Sequence, residues 1–237
     1  MKPLKRILLK ISGETCCTAG DRGIMMDAVT LVAEQIRQAV QTGVQVGVVM
    51  GGGNILRGSQ FKATSQTIQA ATAHTMGMLA TIINGLAIAD ALEMLGQPVR
   101  LMTAVPMETV ADLYTRRAAN RHLEKGRVIL LAGGTGSPYV TTDTAAAQRA
   151  IELGADILFK ATKVDGVYSD DPEKNPDAVF YPSLSYDEFR TKNLRVLDQE
   201  CIAKCKENQM PIRVFNYRKQ GNLLRAVSGE EIGTLIQ

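Results

Sequence analysis

Short apolar runs, each closed by glycine or polar residues and followed by a stretch of helical periodicity, govern what this chain can become. Val44–Met50 is almost wholly apolar, and Val128–Ala132 entirely so. Such runs suit strands buried on both faces of a parallel sheet. Ile7–Ile11, Val99–Thr103, Asp156–Lys160 and Ile212–Asn216 read as further strands, with Thr234–Ile236 as a last edge strand. Helices are expected between them. Asp27 is placed to cap one, in which Val29, Val32, Ile36 and Val40 recur at helical spacing until Gly43. Others are expected over Thr72–Leu95, Thr109–Lys125, Asp143–Leu153, Leu197–Asn208 and Asn222–Val227. The alternation predicts an α/β fold: a three-layer αβα sandwich whose central sheet is mainly parallel, with helices on both faces. One domain over residues 1–237 accommodates it, and the stretch 161–190 is the one long irregular segment.

Composition narrows the function. Of the 237 residues, 45% are apolar and 22% charged, enough for a sizeable core and unlike a disordered chain. The net charge of +3, without a block of like charges, does not imply nucleic acid. The apolar run near Met1 is too short for a secretory leader, and the longest apolar region, Met76–Leu95, carries Asn84, Asp90 and Glu93. The expectation is a cytoplasmic protein with no membrane partner. Four Cys, with no CxxC pair and no His at ligand spacing, predict reduced thiols and no protein metal site.

Ligands of open α/β sheets bind at the carboxyl ends of strands. Here those ends read Lys10-Ile-Ser-Gly-Glu14, Gly51-Gly-Gly-Asn54 with Arg57 close behind, and Gly133-Gly-Thr-Gly-Ser-Pro138. Glycine lets backbone N–H groups approach phosphate, and Lys10 and Arg57 add full positive charges. Three such loops at one sheet edge predict a site for several phosphates. No GxxxxGK[ST] occurs, so a P-loop is excluded, and Gly51-x-Gly53-x-x-Leu56 lacks the third glycine of the dinucleotide fingerprint. The later loop, from Lys160 through Lys163 and Tyr168 to Asp171, offers lysines, hydroxyls, a ring to flank a purine and a carboxylate to accept from it or from a ribose.

Taken together, Leu9-Lys-Ile-Ser-Gly-Glu14, Gly47-Val-Val-Met-Gly-Gly-Gly-Asn54, Met76-Gly-Met-Leu-Ala-Thr81, Gly134-Thr-Gly-Ser-Pro138 with Thr141-Thr-Asp143, Lys160-Ala-Thr-Lys-Val-Asp-Gly166 and Pro211-Ile-Arg-Val-Phe-Asn216 resemble the bacterial uridylate kinases of the amino acid kinase superfamily. The resemblance runs in order from about residue 5 to the C-terminus. It implies reversible transfer of the ATP γ-phosphoryl group to UMP, giving UDP and ADP, in pyrimidine nucleotide biosynthesis. Mg²⁺ is expected to arrive with ATP.

The resemblance also implies roles. Lys10, Ile11, Ser12, Gly13, Gly53, Arg57, Thr162, Tyr168 and Asp171 are expected on the ATP side. Gly52, His74 and the stretch Thr135, Gly136, Ser137, Pro138, Tyr139, Val140, Thr141 and Thr142 are expected on the UMP side. Lys10, Arg57, Asp143 and Lys160 are the catalytic candidates; Lys163 competes with Lys160, and Asp165 and Asp198 are weaker ones. Asp143 is also suited to cap its helix. The nucleoside monophosphate would occupy about 1–155 and ATP about 156–237. His74 is a departure, because the family carries at that place an Asp that binds the ribose hydroxyls of UMP. Family regulation, GTP activating and UTP inhibiting, would involve Thr18, Ala19, Gly20, Asp21, Arg22, Gly23 and Arg100, and the family assembly is a homohexamer. Two alternatives are another kinase of the superfamily, such as acetylglutamate kinase, and a catalytically silent nucleotide sensor.

Overall fold

A computed structural model describes residues 3–18, 20–56 and 68–237. The first half contains β1 (Arg6–Ile11), a 3₁₀ turn (Gly13–Cys16), α1 (Met26–Gln41), β2 (Gln45–Met50), α2 (Ala70–Met94), β3 (Val99–Thr103) and β4 (Asp112–Leu113). Then come α3 (Arg116–Glu124), β5 (Val128–Ala132), α4 (Thr142–Leu153) and β6 (Ile157–Thr162). The last third holds β7 (Val167–Tyr168), β8 (Phe180–Tyr181), β9 (Ser183–Leu184), α5 (Tyr186–Thr191), α6 (Gln199–Glu207), β10 (Ile212–Asn216), α7 (Asn222–Val227) and β11 (Thr234–Ile236).

Among the described residues, nine strands form one sheet in the order β4-β3-β5-β2-β1-β6-β10-β11-β9. All neighbours are parallel except β10 and β11. Side chains alternate between the faces. Ile7, Leu9 and Ile11 pack with α1, α2 and α7 on one side. Leu8, Ile129, Leu131 and Leu158 pack with α3, α4, α5 and α6 on the other. This is the αβα sandwich expected from the apolar runs. From β1 the chain proceeds to β2, then outward to β3 and β4, and returns through β5 to β6 on the far side of β1. The sheet therefore reverses its direction of growth at β1/β6, where the carboxyl ends open a crevice.

Local chemistry corrects several boundaries. The expected Thr109–Lys125 helix begins only at Arg116, because Thr115 caps it by accepting from the Ala118 N–H at 3.2 Å, and the residues before it form β4 beside β3. α1 starts at Met26, so Asp27 lies in its first turn, favourable to the helix dipole but not the cap. α4 is capped by Thr141, whose hydroxyl accepts from the Thr144 N–H at 3.1 Å; Asp143 is left free for other work. Asp156 precedes β6 and accepts the N–H groups of Lys5 and Arg6 at 2.7 and 2.8 Å. β11 lies between β10 and β9, so it is internal and β9 is the edge. The 161–190 stretch contains the β7–β8 hairpin, β9 and α5.

α2 is long and apolar enough to cross a bilayer by length and composition alone, but Ile82, Ile88 and Leu92 belong to the core. Its buried face also carries Asn84, which pairs reciprocally with Asn54 at 2.7 and 2.9 Å and donates to the Gly51 carbonyl at 2.8 Å. Asn54 also donates to the Gly23 carbonyl at 2.7 Å. Both side chains are essentially inaccessible, so losing one strands the acceptors of the other. Asn84→Ala is expected to lower the unfolding free energy by about 2–4 kcal/mol. Urea denaturation monitored by circular dichroism reads this directly, and a change below about 0.5 kcal/mol would show the amide pair to be dispensable.

Candidate active site

The in-register pairing of β1 with β6 sets Lys10 directly beside Lys160. Alternation then sends both side chains to the face of Leu8 and Leu158, toward the start of α4. Two ammonium groups side by side repel, and Asp143, one residue inside α4, answers both. Lys10 Nζ lies 2.9 Å from its Oδ1. Lys160 Nζ lies 2.6 and 2.7 Å from its two oxygens. All three side chains are largely enclosed, exposing 10–14% of their surface. Burial opposes the Asp143 charge, but the two lysines outweigh it and hold its pKa below the usual carboxylate range. Burial, and then the like charge of Lys10, depress Lys160 to about 8 despite Asp143. The trio keeps one uncompensated positive charge, which an anionic ligand completes. Lys163 does not join the trio; it is half-exposed, paired with Glu173, and lines the cavity onto which the two lysines open.

The two lysines of the trio open onto a cavity of about 650 Å³, a volume suited to a small organic ligand. Ser12, Thr15, Thr162 and Arg218 line it on the side of the strand ends, and Leu31 and Gln35 of α1 on the other. Ser12 caps the 3₁₀ turn by accepting from the Glu14 N–H at 3.3 Å. Gly13 permits the closest approach: a Cβ there would stand 2.3 Å from Asn54 Oδ1 and 2.8 Å from the Gly51 carbonyl and the Gly53 nitrogen. The loops after β1 and β2 are thus interlocked backbone to backbone. Arg57 lies outside the described residues.

Tyr168 and Asp171 are not on this cavity's wall. Tyr168 meets the Phe180 ring edge-on at 5.3 Å across the β7–β8 hairpin. Asp171 accepts from the Glu173 N–H at 3.1 Å and pairs with Lys174 at 3.3 Å.

The loop after β5 turns through Gly133, Gly134 and Gly136, all in the left-handed region at φ 73°, 58° and 83°. The Gly133 N–H donates to Thr81 Oγ1 of α2 at 2.8 Å. Ser137, Pro138 and Tyr139 are exposed, and Thr135 and Val140 half-buried. Tyr139 is itself left-handed at φ 67°, a conformation uncommon for a bulky residue. Its ring lies 4.7 Å from that of His74, tilted by 54°. His74 therefore faces the loop to which the sequence assigned the acceptor. Thr141 donates to Asp198, which also accepts from Thr144 Oγ1 at 2.8 Å and caps α6 through the Cys201 N–H at 2.7 Å. Asp165 is held by Lys219 at 2.7 Å and Asn216 at 3.1 Å, with its pKa lowered chiefly by the Lys219 bond.

The expected effector residues fall in two places. Thr18 and Gly20–Gly23 follow the carboxyl end of β1, and the Gly23 N–H reaches the Asn54 carbonyl at 2.9 Å; Ala19 lies outside the described residues. Arg100 is near the amino end of β3, exposed, donating to the Val99 carbonyl at 3.2 Å. Parallel strands put these at opposite ends of the sheet, so one chain does not bring them together. Sequence reasoning passed over Asn54, Thr81 and Asn84. Their signal was polarity inside otherwise apolar or glycine-rich segments next to strand ends.

The match to the amino acid kinase family model covers residues 5–216. A uridylate kinase of Methylococcus capsulatus is 52% identical over 98% of this chain and 96% of its own length. The crystal structure of the UMP kinase from Bacillus anthracis superposes with a TM-score of 0.95 at 36% identity, covering 100% of this chain and 97% of that one. The UMP kinase of Ureaplasma parvum gives 0.91 at 35% identity, covering 98% of each. Matched by the family model over residues 5–216 and by these relatives along nearly its whole length, the chain belongs to the amino acid kinase family, in the branch that holds the uridylate kinases.

Proposed function

We propose that the protein transfers the γ-phosphoryl group of ATP to UMP, forming UDP and ADP reversibly, as a step of pyrimidine nucleotide biosynthesis. The observation that carries this reading is the Lys10–Asp143–Lys160 trio, set between the β1 and β6 loops on one side and the 133–141 loop on the other. The donor's phosphates are assigned to the side of Lys10, Ile11, Ser12, Gly13, Gly53, Arg57 and Thr162, and its base to the 156–237 part, toward Tyr168 and Asp171. The acceptor is assigned to Gly52, His74 and Thr135–Thr142, within 1–155.

The chemistry asks little covalent help of the protein. A UMP phosphate oxygen attacks the γ-phosphorus, and the bond to the β,γ-bridging oxygen breaks. A phosphate monoester, with a second pKa of about 6, is already mostly deprotonated at neutral pH, so no general base is needed. Asp143, fully engaged by two ammonium groups, is suited to hold the lysines and not to move a proton. Lys10 and Lys160 supply charge for the transferring group, where preorganised cations are worth most. Among the described residues no three His, Cys, Asp or Glu gather into a metal cage. Magnesium in this reading belongs to the donor, carried by phosphate oxygens and water. Thr18–Gly23 and Arg100 remain the proposed contacts for GTP activation. Because they lie at opposite ends of the sheet, such a site calls for neighbouring subunits, in keeping with the homohexamer we infer. UTP inhibition is read as competition at the acceptor loop.

An ADP-release assay with UMP, CMP and N-acetylglutamate offered in turn tests the acceptor. UMP is expected to give the highest kcat/KM, and preference for N-acetylglutamate would overturn the proposal. Lys10→Met is expected to lower kcat at least 10²-fold while UMP still binds by calorimetry; turnover within threefold of the parent would remove Lys10 from the reaction. Arg57→Ala should lower kcat/KM by about 10²-fold, and a loss under threefold would strike it from the site.

The depressed Lys160 pKa fixes a pH dependence. The free enzyme sheds that proton as pH rises through about 8, removing a cation that ATP needs. The profile of kcat/KM for ATP should therefore fall above about pH 8, and that of kcat should fall at higher pH because bound phosphates favour the ammonium. A kcat/KM profile flat to pH 10 would show that Lys160 does not titrate in this role.

A further inference from the structure

Arg149 is a charged side chain that the phosphoryl transfer does not use, yet it is only 6% exposed. A guanidinium buried to this degree is expensive unless its donors are engaged. One arm, Nη1, donates to Glu152 Oε2 at 2.7 Å, and its carbon sits 3.8 Å above the Tyr114 ring centre. Glu152 is fixed in turn by the Tyr114 hydroxyl at 2.7 Å and by Gln148 at 2.9 Å. Burial opposes the Glu152 charge, but these bonds prevail and keep its pKa below the usual range. The second arm leaves this cluster: Nη2 reaches the Gly134 carbonyl at 3.4 Å.

That carbonyl belongs to the turn of left-handed glycines after β5. Without a Cβ on Gly133 or Gly134, sterics alone do not decide which way the following peptide faces. A trans peptide is planar, so its C=O and N–H point in opposite directions. Holding the Gly134 oxygen toward Arg149 therefore turns the Thr135 N–H to the other side of the strand of backbone. No described backbone carbonyl accepts from that N–H. We propose that Arg149 is a positioning residue for the acceptor nucleotide: its guanidinium fixes the Gly134–Thr135 peptide so that the Thr135 N–H donates to an oxygen of the acceptor. The two ends of one amide polarise each other, so engaging the N–H tightens the long Arg149 contact. The inference rests on the reading that Thr135–Thr142 take UMP.

Steady-state kinetics of Arg149→Lys, which keeps the charge and loses the fork, test it. KM for UMP should rise about tenfold while KM for ATP stays within twofold. A merely structural role would move both together or neither, and either result overturns the proposal. A second measurement needs no variant. In the parent enzyme labelled with ¹⁵N-threonine, the Thr135 amide resonance should shift downfield on saturation with UMP and stay in place with ADP alone. An amide that does not respond to UMP overturns the proposal even where Arg149→Lys fails to fold. A parent enzyme that neither binds nor phosphorylates UMP removes the underlying reading; normal UMP turnover with a silent Thr135 amide removes only the role of Arg149.

Discussion

Two like charges held side by side by sheet register are the constraint around which the molecule is arranged. Neighbouring strands are about 5 Å apart, and unit charges at that separation repel by roughly 3 kcal/mol at an effective dielectric constant of about 20. Lys10 and Lys160 cannot separate without breaking the β1–β6 register, which also places Leu8 and Leu158 in the core. The relief has to come from a third group, and Asp143 supplies it. Its position fixes the start of α4, and with it the turn that enters the helix from β5. The charge trio is thus a structural clamp between the two halves of the sheet as well as a patch of unspent positive charge at its mouth.

This arrangement explains what could be read in advance. The buried strands were legible because a strand covered on both faces leaves a continuous apolar run, and Val44–Met50 and Val128–Ala132 admit little else. The glycine loops were legible because they fall where those runs stop. The choice between Lys160 and Lys163 was not, since it depends on register. Only with β6 aligned against β1 does Lys160 share the face of Lys10, while Lys163 lies beyond the strand and pairs with Glu173. Asp143, a catalytic candidate, was also suited to cap its helix because any carboxylate at a helix start suits that role; Thr141, two residues earlier, takes the cap, and Asp143 meets the two lysines. Thr109–Lys125 was overextended because its first residues are locally compatible with helix, and only the neighbouring β3 edge draws Asp112–Leu113 into the sheet.

His74 shows how one side chain couples two distant segments. A carboxylate at position 74 would only accept hydrogen bonds, whereas an imidazole both donates and accepts and offers a ring. In this chain that ring packs on Tyr139, whose left-handed backbone is costly by about 1–3 kcal/mol. The contact ties the start of α2 to the exposed part of the 134–141 loop, the part least supported by glycine geometry. The identity of residue 74 is therefore coupled to loop conformation and not only to what the side chain can bind.

α2 bears on both loops, because beside its core residues Ile82, Ile88 and Leu92 it also turns polar groups inward. Its polar residues Thr81 and Asn84, three apart, are inside, where they hold the Gly133 N–H and the Gly51 carbonyl. Its apolar residues Leu79, Ile83 and Leu86 are outside, 39–48% exposed. The inward polar pair makes sense as the brace joining the loop after β2 to the loop after β5. Any surface that met the outward apolar row would bear on the same helix that braces the two loops.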